Sequence, residues 1–118
     1  AEDYPLNQRV LQVLLERAGY TVDIVTNGKE AVAACAQKPY DLVLLDVQMP
    51  EIDGYEAARQ IRASGGPCAQ KPLVGLTAFV DKETEAKCLG MGMNTVLTKP
   101  VRKEILLRTV KVLLAKPS

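Results

Sequence analysis

Four positions in the 118-residue sequence carry polar groups that could do chemistry together. They supply three carboxylates, one hydroxyl and one ammonium, and they are Glu2 with Asp3, Asp46, Thr77 and Lys99. Carboxylates gathered within a few ångströms repel, so at neutral pH they either share a proton or bind a cation. An all-oxygen cluster suits Mg²⁺, and a lysine beside it can neutralise phosphoryl oxygens. These residue types favour metal-assisted phosphoryl transfer, with Asp46 as the nucleophile that forms an acyl phosphate.

Each of these residues, taken alone, also has an ordinary structural explanation. Asp46 could cap a strand or a turn, and Glu2 with Asp3 could belong to a solvated tail. Thr77 could be a β-former in a strand, and Lys99 a surface charge. The joint occurrence of all four at the ends of apolar runs favours a functional site.

Composition excludes several other classes of function. The sequence has 15 basic and 14 acidic residues and no basic block, so nothing supports binding of nucleic acid by this domain. It has no histidine, which excludes a histidine-based catalytic dyad. Its three cysteines form no C-x-x-C motif and indicate reduced thiols in the cytoplasm. Its apolar runs are too short to span a membrane, so we expect no membrane contact by this domain, although a longer parent protein could be membrane-anchored.

The element that positions Asp46 is a short, unbroken apolar run at residues 42–45. Such a run is typical of a strand that is covered on both faces. Asp46 ends it, and Met49-Pro50 and Asp53-Gly54 follow as turn signals, with Gly54 free to adopt a positive φ. In a parallel sheet, ligands gather at the carboxyl ends of the strands, which is where this pattern places Asp46.

The rest of the chain alternates between helical and β-rich patterns, which predicts a doubly wound parallel α/β sheet in one domain spanning residues 1–118. Helices are predicted at residues 6–18, 28–37, 55–63, 82–89 and 104–115, with Asn27 capping the second. Further strands are predicted at residues 21–25, 73–77 and 96–98. In the first helix, we expect Val10, Leu11, Leu14 and Ala18 to cover the sheet and Leu6 and Val13 to face outward.

This alternation begins with a helix, although Glu2 and Asp3 stand where the carboxyl end of a preceding strand should be. We therefore expect that the first strand of the fold is missing from this sequence and that upstream residues exist in the natural protein. If they do not, the sheet must close by direct pairing or borrow a strand from another copy, for example in a dimer.

The motifs together resemble the receiver domain of the two-component response-regulator family over nearly the whole length. The matching segments are Glu2-Asp3, Asn27-Gly28, residues 40–54, Leu76-Thr77-Ala78, Gly90-Met91-Gly92 and Lys99-Pro100. The resemblance implies a flavodoxin-like fold with strand order 2-1-3-4-5, from which the first strand is absent here.

The resemblance also implies a role for each matching residue. Asp46 would be the phosphoacceptor, while Lys99 and Thr77 would contact the phosphoryl group together with the backbone of Val47 and Ala78. The Mg²⁺ ligands would be Asp3, Asp46, the Gln48 carbonyl and, through water, Glu2.

A finer resemblance, carried by residues 5–8, 46–50, 76–78 and 87–92, is to the receivers fused to hybrid sensor histidine kinases. It implies a histidine kinase or a histidine phosphotransfer domain as the partner. From the helix pattern and the neighbouring loops we predict an apolar docking patch around the site, formed by Leu6, Val13, Met49, Pro50, Pro100 and Val101.

One feature limits what the resemblance implies. Val96 stands where the family commonly has an aromatic residue, so we expect the output not to depend on a swinging ring.

Other functions remain open. An aspartyl-nucleophile phosphatase would turn over substrate, which a receiver by itself does not, but such an enzyme typically has a second acid at the position of Gln48. A stand-alone receiver and a pure interaction module also remain open.

Overall fold

The computed structural model describes residues 1–2, 4–47, 52–64, 66, 68–78, 81–99 and 101–115. Within them, helices and strands alternate as the sequence predicts. In chain order the elements are α1 (Pro5–Arg17), α2 (Gly28–Gln37), β1 (Val43–Asp46), α3 (Gly54–Ala63), β2 (Leu73–Thr77), α4 (Lys82–Gly90), β3 (Thr95–Thr98) and α5 (Lys103–Ala115). No helix in this part of the chain is both long and apolar enough to cross a membrane.

The three strands form a parallel sheet in the order β1-β2-β3. Leu45 lies opposite Gly75, and Gly75 lies opposite Val96. This order corresponds to the last three strands of the predicted order 2-1-3-4-5. Because all three strands run the same way, their carboxyl ends share one edge, and Asp46, Thr77 and Thr98 are the last residues at that edge.

Two apolar layers cover the sheet, one on each face. Leu45 and Leu73 pack into the cluster that contains Ala58 of α3 and Cys88 of α4. On the other face, Val74, Leu76 and Leu97 pack into the cluster that contains Leu15 of α1 and Leu106 and Val110 of α5. Successive strand residues point to opposite faces, which explains why the strands are unbroken apolar runs.

The prediction of a strand at residues 21–25 is wrong for this structure. These residues are not paired as a strand in the described part of the chain, although their composition is β-rich. Their contact with the rest of the fold is made at the end, where the Glu2 amide donates to the Val25 carbonyl at 3.1 Å. A strand needs a neighbour along its length, and among the described residues this segment pairs only at Glu2.

Ala1 and Glu2 lie between β1 and Val25, where the predicted strand order puts the end of the first strand. The Ala1 nitrogen donates to the Leu44 carbonyl at 2.6 Å, and the Asp46 amide donates to the Ala1 carbonyl at 3.0 Å. With the Glu2–Val25 bond on the other side, these two residues pair as the end of a parallel strand would. Beyond them, residues 21–25 and β1 do not close on each other, and a cavity of about 650 Å³ remains between them.

The orientation of α1 differs from the prediction by about one residue. Leu15 is the buried residue of this helix, and Leu11 and Leu14 are partly buried beside it. Val10 is 44% exposed rather than turned toward the sheet, and Val13 is only half-buried rather than outward. The helix carries leucine and valine on most of its circumference, so its sequence pattern could not fix which stripe faces the core.

Glycines allow two close approaches beside the site. A Cβ on Gly54 would lie 2.2 Å from the Asp46 carbonyl oxygen, and one on Gly28 would lie 1.9 Å from the Ile52 carbonyl oxygen. Gly54 is the first residue of α3 and does not use the positive φ that is open to it. Its role is to bring the start of α3 against the end of β1. Gly19, in contrast, has a φ of 97° just after α1, the left-handed conformation typical of a glycine that follows a helix.

Candidate functional site

Asp46 is the last residue of β1 and is buried, with 2% of its surface exposed. The burial follows from its position between the Ala1–Glu2 segment, which accepts its amide hydrogen bond, and the start of α3 at Gly54. A carboxylate in such a position is costly unless cationic or hydrogen-bonding groups compensate its charge. The structure supplies that compensation from β3.

Lys99 follows β3 and brings an ammonium group to the acids. Its amide donates to the Thr77 carbonyl at 2.7 Å, which ties the end of β3 to the end of β2. Its Nζ binds Asp46 Oδ2 and lies 3.1 Å from Glu2 Oε1. The predicted meeting of Asp46, Thr77, Lys99 and Glu2 at one edge of the sheet is therefore what the structure has.

Glu2 is held in place by the first turns of α1. It is 2% exposed, and the Tyr4 amide donates to its Oε2 at 3.3 Å. The Gln8 side chain donates from Nε2 to the Glu2 backbone carbonyl at 2.5 Å. Gln8 is thus a positioning residue that was not predicted from the sequence. The available signal was a polar side chain in the second turn of the helix that directly follows the acid pair.

The electrostatics of the site tie the two carboxylates to the lysine. Burial alone raises the pKa of Glu2, but hydrogen bonds with Asp46, Lys99 and the Tyr4 amide outweigh it and lower that pKa to about 2. Burial lowers the pKa of Lys99, while its bonds to Asp46 and Glu2 raise it above its ordinary value overall. Glu2 is therefore charged at neutral pH, and Lys99 stays an ammonium.

Two buried acid side chains, Glu2 and Asp46, face one ammonium in the described part of the site. Carboxyl oxygens are the hard donors that Mg²⁺ prefers, so the residues present fit this ion. Among the residues that the structure describes, no group of three acidic, histidine or cysteine side chains is close enough to hold a metal by itself. Two of the predicted ligands, Asp3 and Gln48, lie outside the described residues.

The residues predicted to contact the phosphoryl group differ in their exposure and in their hydrogen bonds. Thr77 is 7% exposed at the end of β2, and Ala78 beyond it is exposed. The Val47 amide donates to the Leu76 carbonyl at 2.8 Å, so its predicted contact with a phosphoryl group would require that bond to open.

The predicted docking patch is only partly present. Leu6 is 61% exposed, and its exposed neighbours are Val10 and Tyr4, at 44% and 55%, rather than Val13. Val101 is half-buried and packs against the cluster under α5, which removes it from an outward patch. Met49, Pro50 and Pro100 lie outside the described residues.

Comparison with known proteins identifies what this site resembles. Residues 1–111 match the family model described as the response regulator receiver domain. The chain is 37% identical, over its full length, to 12% of Histidine kinase 1 of Arabidopsis thaliana. It is 36% identical, over 94% of its length, to 11% of the sensor histidine kinase RcsC of Salmonella typhimurium. The chain thus spans about a tenth of the length of these curated relatives.

Solved structures show the same likeness in three dimensions. The receiver domain of a sensor histidine kinase from Pseudomonas aeruginosa PAO1, described with a magnesium ion coordinated in its active site cleft, superposes with a TM-score of 0.90. It is 35% identical, and the match covers 98% of this chain and 94% of that one. The chemotaxis protein CheY4 of Vibrio cholerae superposes with a TM-score of 0.89 at 27% identity, over 95% of this chain and 92% of that one.

Proposed function

This chain belongs to the response regulator receiver domain family, and we propose that it accepts a phosphoryl group on the Asp46 carboxylate from a phosphohistidine donor. The observation that carries the proposal is the buried Asp46 at the carboxyl end of β1, with the Lys99 ammonium on its carboxylate and Glu2 beside both. Burial restricts the carboxylate to one position, which is what an in-line attack on phosphorus needs.

The transfer step follows from these groups. A carboxylate oxygen of Asp46 forms a bond to phosphorus while the bond between phosphorus and the donor's imidazole nitrogen breaks, and that nitrogen keeps the electron pair. Lys99 can turn from the carboxylate to the oxygens of the transferred group, whose charge it neutralises. Its raised pKa supports this role, because the group remains cationic at neutral pH.

We further propose that Mg²⁺ binds at the same edge, through Glu2 by way of water and directly through Asp3, Asp46 and the Gln48 carbonyl. When bound, the ion supplies the positive charge that balances the acids and the incoming phosphoryl oxygens. The two buried acid side chains, Glu2 and Asp46, that face a single ammonium support this ligand set. Thr77, at the end of β2, is placed in the proposal as the hydroxyl that moves toward the phosphoryl group, with the Ala78 amide beside it.

The partner in this proposal is a histidine kinase or a histidine phosphotransfer domain, and the parent protein is a hybrid sensor histidine kinase. Similarity to segments of histidine kinases supports it. The exposed face of α1 that carries Leu6 and Val10, together with the exposed Tyr4 just before the helix, replaces the earlier patch as the proposed docking surface. A protein donor could seat an apolar helix there and present its histidine to Asp46.

Incubation with acetyl phosphate and Mg²⁺, followed by intact-mass measurement, tests the proposal. We expect one added phosphoryl group on the natural sequence, loss of it with Asp46→Asn, and loss of it when Mg²⁺ is chelated. Asp41→Asn is a matched control, because Asp41 is an exposed acid just before the same strand. Undiminished labelling of Asp46→Asn would overturn the proposal.

A further inference from the structure

We propose that Cys35 and Cys68 form a redox-sensitive dithiol, which closes to an intrachain disulfide when a peroxide oxidises it. Both residues are buried and carry thiols in this structure. Cys35 lies in the second half of α2, and Cys68 lies in the connection between α3 and β2. The inference does not depend on phosphoryl chemistry at Asp46.

The two cysteines meet at the carboxyl-terminal end of α2. Their side chains are hydrogen-bonded to each other and belong to the same apolar cluster. The Cys68 thiol donates to the Lys38 carbonyl and its sulfur accepts from the Tyr40 amide, both at 3.3 Å. These bonds hold the sulfur within one helical turn of Cys35. A disulfide needs its sulfur atoms about 2 Å apart, and side-chain rotation reaches that distance from a contact between thiols.

Burial selects the disulfide among the products that oxidised cysteines form. Burial, helped by the neighbouring Cys68, raises the pKa of Cys35 to about 12, so a charged sulfur is disfavoured there. Sulfinic and sulfonic acids are charged at neutral pH, and an apolar cluster disfavours both. A disulfide is neutral and needs no hydrogen-bond partner. The surroundings of this pair therefore favour the crosslink over further oxidation of either thiol.

The oxidation has two steps and consumes one peroxide molecule. We expect Cys68 to react first, because the raised pKa of Cys35 makes it a poor nucleophile. The Cys68 sulfur bonds to one peroxide oxygen, the oxygen–oxygen bond breaks, and the other oxygen leaves as water with the thiol proton. The Cys35 sulfur then bonds to the Cys68 sulfur, and the displaced oxygen leaves as a second water with the Cys35 proton. The two sulfurs lose two electrons in total, which the peroxide gains.

Access to the Cys68 sulfur depends on residues 68–71. Cys68 is 1% exposed, so a peroxide reaches it when this segment opens. The Arg62 guanidinium holds the segment closed, since it donates to the carbonyls of Ala69 and Lys71 at 3.0 and 2.7 Å. Gln70, between them, is exposed, so the segment lies at the surface. Opening of this surface segment, rather than of the whole core, therefore sets the rate of oxidation.

The crosslink would change the stability of the fold. It joins α2 to residues 68–71 and closes a loop of about thirty residues, which contains β1 and α3. Closing a loop of this length restricts the unfolded chain more than the folded one. The oxidised protein should therefore unfold at a higher temperature than the reduced protein.

Treatment of the protein with hydrogen peroxide, followed by mass spectrometry without reduction, tests the inference. We expect the intact mass to fall by about 2 Da, the mass of the two hydrogens lost. The thiols that can be alkylated after denaturation should fall from three to one, and peptide mapping should join Cys35 to Cys68. The melting temperature should rise by at least about 4 °C and return when dithiothreitol reduces the bond.

Two cysteine variants identify the pair. Cys68→Ala should form no intrachain disulfide. Cys88→Ala is the matched control, because Cys88 is also buried but hydrogen-bonds with Tyr55. It should leave the disulfide and the rise in melting temperature unchanged. Mass and mapping of the natural sequence remain decisive if Cys68→Ala does not fold.

Two arginine variants test the opening step. Arg62→Lys should speed disulfide formation at least about threefold, because residues 68–71 lose hydrogen bonds that keep them closed. Arg59→Lys, whose ion pair with Glu56 is exposed, should leave the rate unchanged. Equal rates for the two variants would contradict the opening step. Three thiols remaining after peroxide treatment, a crosslink through Cys88 or an unchanged melting temperature of the crosslinked protein would each overturn the proposal.

Discussion

Among single residues, Asp23 and Tyr40 form a pair whose titration can be followed directly. The hydrogen bond to Asp23, helped by burial, raises the pKa of Tyr40 to about 12. The same bond, followed by the Lys38 contact, lowers the pKa of Asp23. The two shifts have one origin, because the phenol donates to a carboxylate that must stay charged to accept.

We expect Tyr40 to ionise near pH 12 and to return toward the ordinary value of about 10 in Asp23→Asn. Since the folded pKa is raised, the stability that this bond contributes is complete below about pH 10 and is lost as the pH rises through the folded value. Near-ultraviolet absorbance of tyrosinate measures the transition, with Tyr40→Phe identifying its share among the four tyrosines. Ionisation of Tyr40 near the ordinary value of about 10 in the natural sequence would contradict the hydrogen bond to Asp23.

Site residues that end strands could be predicted from the sequence, whereas residues that bind partners distant in the chain could not. Asp46 and Lys99 could be predicted because the carboxyl ends of parallel strands meet at one edge. Gln8 and Tyr40 could not, because their partners, Glu2 and Asp23, come close only after the chain has folded. Nothing in a local pattern records such a pairing.

Among the elements, the junction between β1 and α3 positions the acceptor carboxylate. Gly54 brings the two together at a distance that no side chain permits. Gly54→Ala should cost about 1–3 kcal/mol in the free energy of unfolding, as expected when a packed contact must move apart. Urea denaturation measures the loss.

Gly90→Ala is the matched control for Gly54→Ala. Gly90 is the last residue of α4, and a Cβ there would meet nothing within 4 Å. The substitution should be neutral or stabilise by up to about 1 kcal/mol, because alanine loses less backbone entropy than glycine in a helix. If both variants lose the same stability, the close approach at Gly54 is not what makes it necessary.

Arg62 of α3 anchors the amino-terminal end of β2 to the turn before β3. Its guanidinium donates to the carbonyls of Gly92, Ala69 and Lys71 and to the Asn94 side chain at 2.7–3.0 Å. Arg62→Lys keeps the charge and loses the planar fork, so we expect a loss of about 1–3 kcal/mol in the free energy of unfolding.

Arg59→Lys, on the same helix, is the matched control for the loss of the planar guanidinium in Arg62→Lys. Arg59 forms an exposed ion pair with Glu56, and such pairs contribute at most about 1 kcal/mol. Thermal or chemical denaturation of the two variants side by side gives the comparison. An equal and small effect of both would mean that the carbonyl contacts of Arg62 add nothing to stability.

Sequence patterns predict the bounds of some helices and strands of this fold and fail for others. Residues 28–37 and 73–77 were predicted with the bounds that the structure has, because caps and turn signals mark their ends. Residues 21–25 have strand composition and do not pair, because strand formation depends on a neighbour and not on composition alone. The predicted orientation of α1 was wrong for a related reason. Its burial of Leu15, rather than of an apolar neighbour, depends on packing against other elements such as α5.

For the whole molecule, the exposed face of α1 is where a protein donor is expected to dock. Leu6→Asp and Val10→Asp should slow phosphoryl transfer from a histidine phosphotransfer domain several-fold, because each places a charge in an apolar contact. The same variants should leave labelling by acetyl phosphate unchanged, since a small donor needs no docking surface. Stopped-flow or gel-based transfer assays with the two donors separate these outcomes.

Leu89→Asp and Val112→Asp are matched controls, because both residues are 49% exposed and lie on α4 and α5. They should leave transfer from the protein donor unchanged. A similar loss with these controls, or an equal loss with both donors for the α1 variants, would mean that the substitutions damage the fold or the site rather than docking.

The central claim is that Asp46 itself carries the phosphoryl group, and chemical trapping tests it most directly. An acyl phosphate on aspartate is reduced by borohydride to a homoserine residue, which peptide mass mapping assigns to one position. After incubation with acetyl phosphate and Mg²⁺, we predict homoserine at residue 46 and at no other acid, with none formed in Asp46→Asn. Homoserine at another carboxylate, or a stable phosphoryl group that borohydride does not remove, would contradict the account.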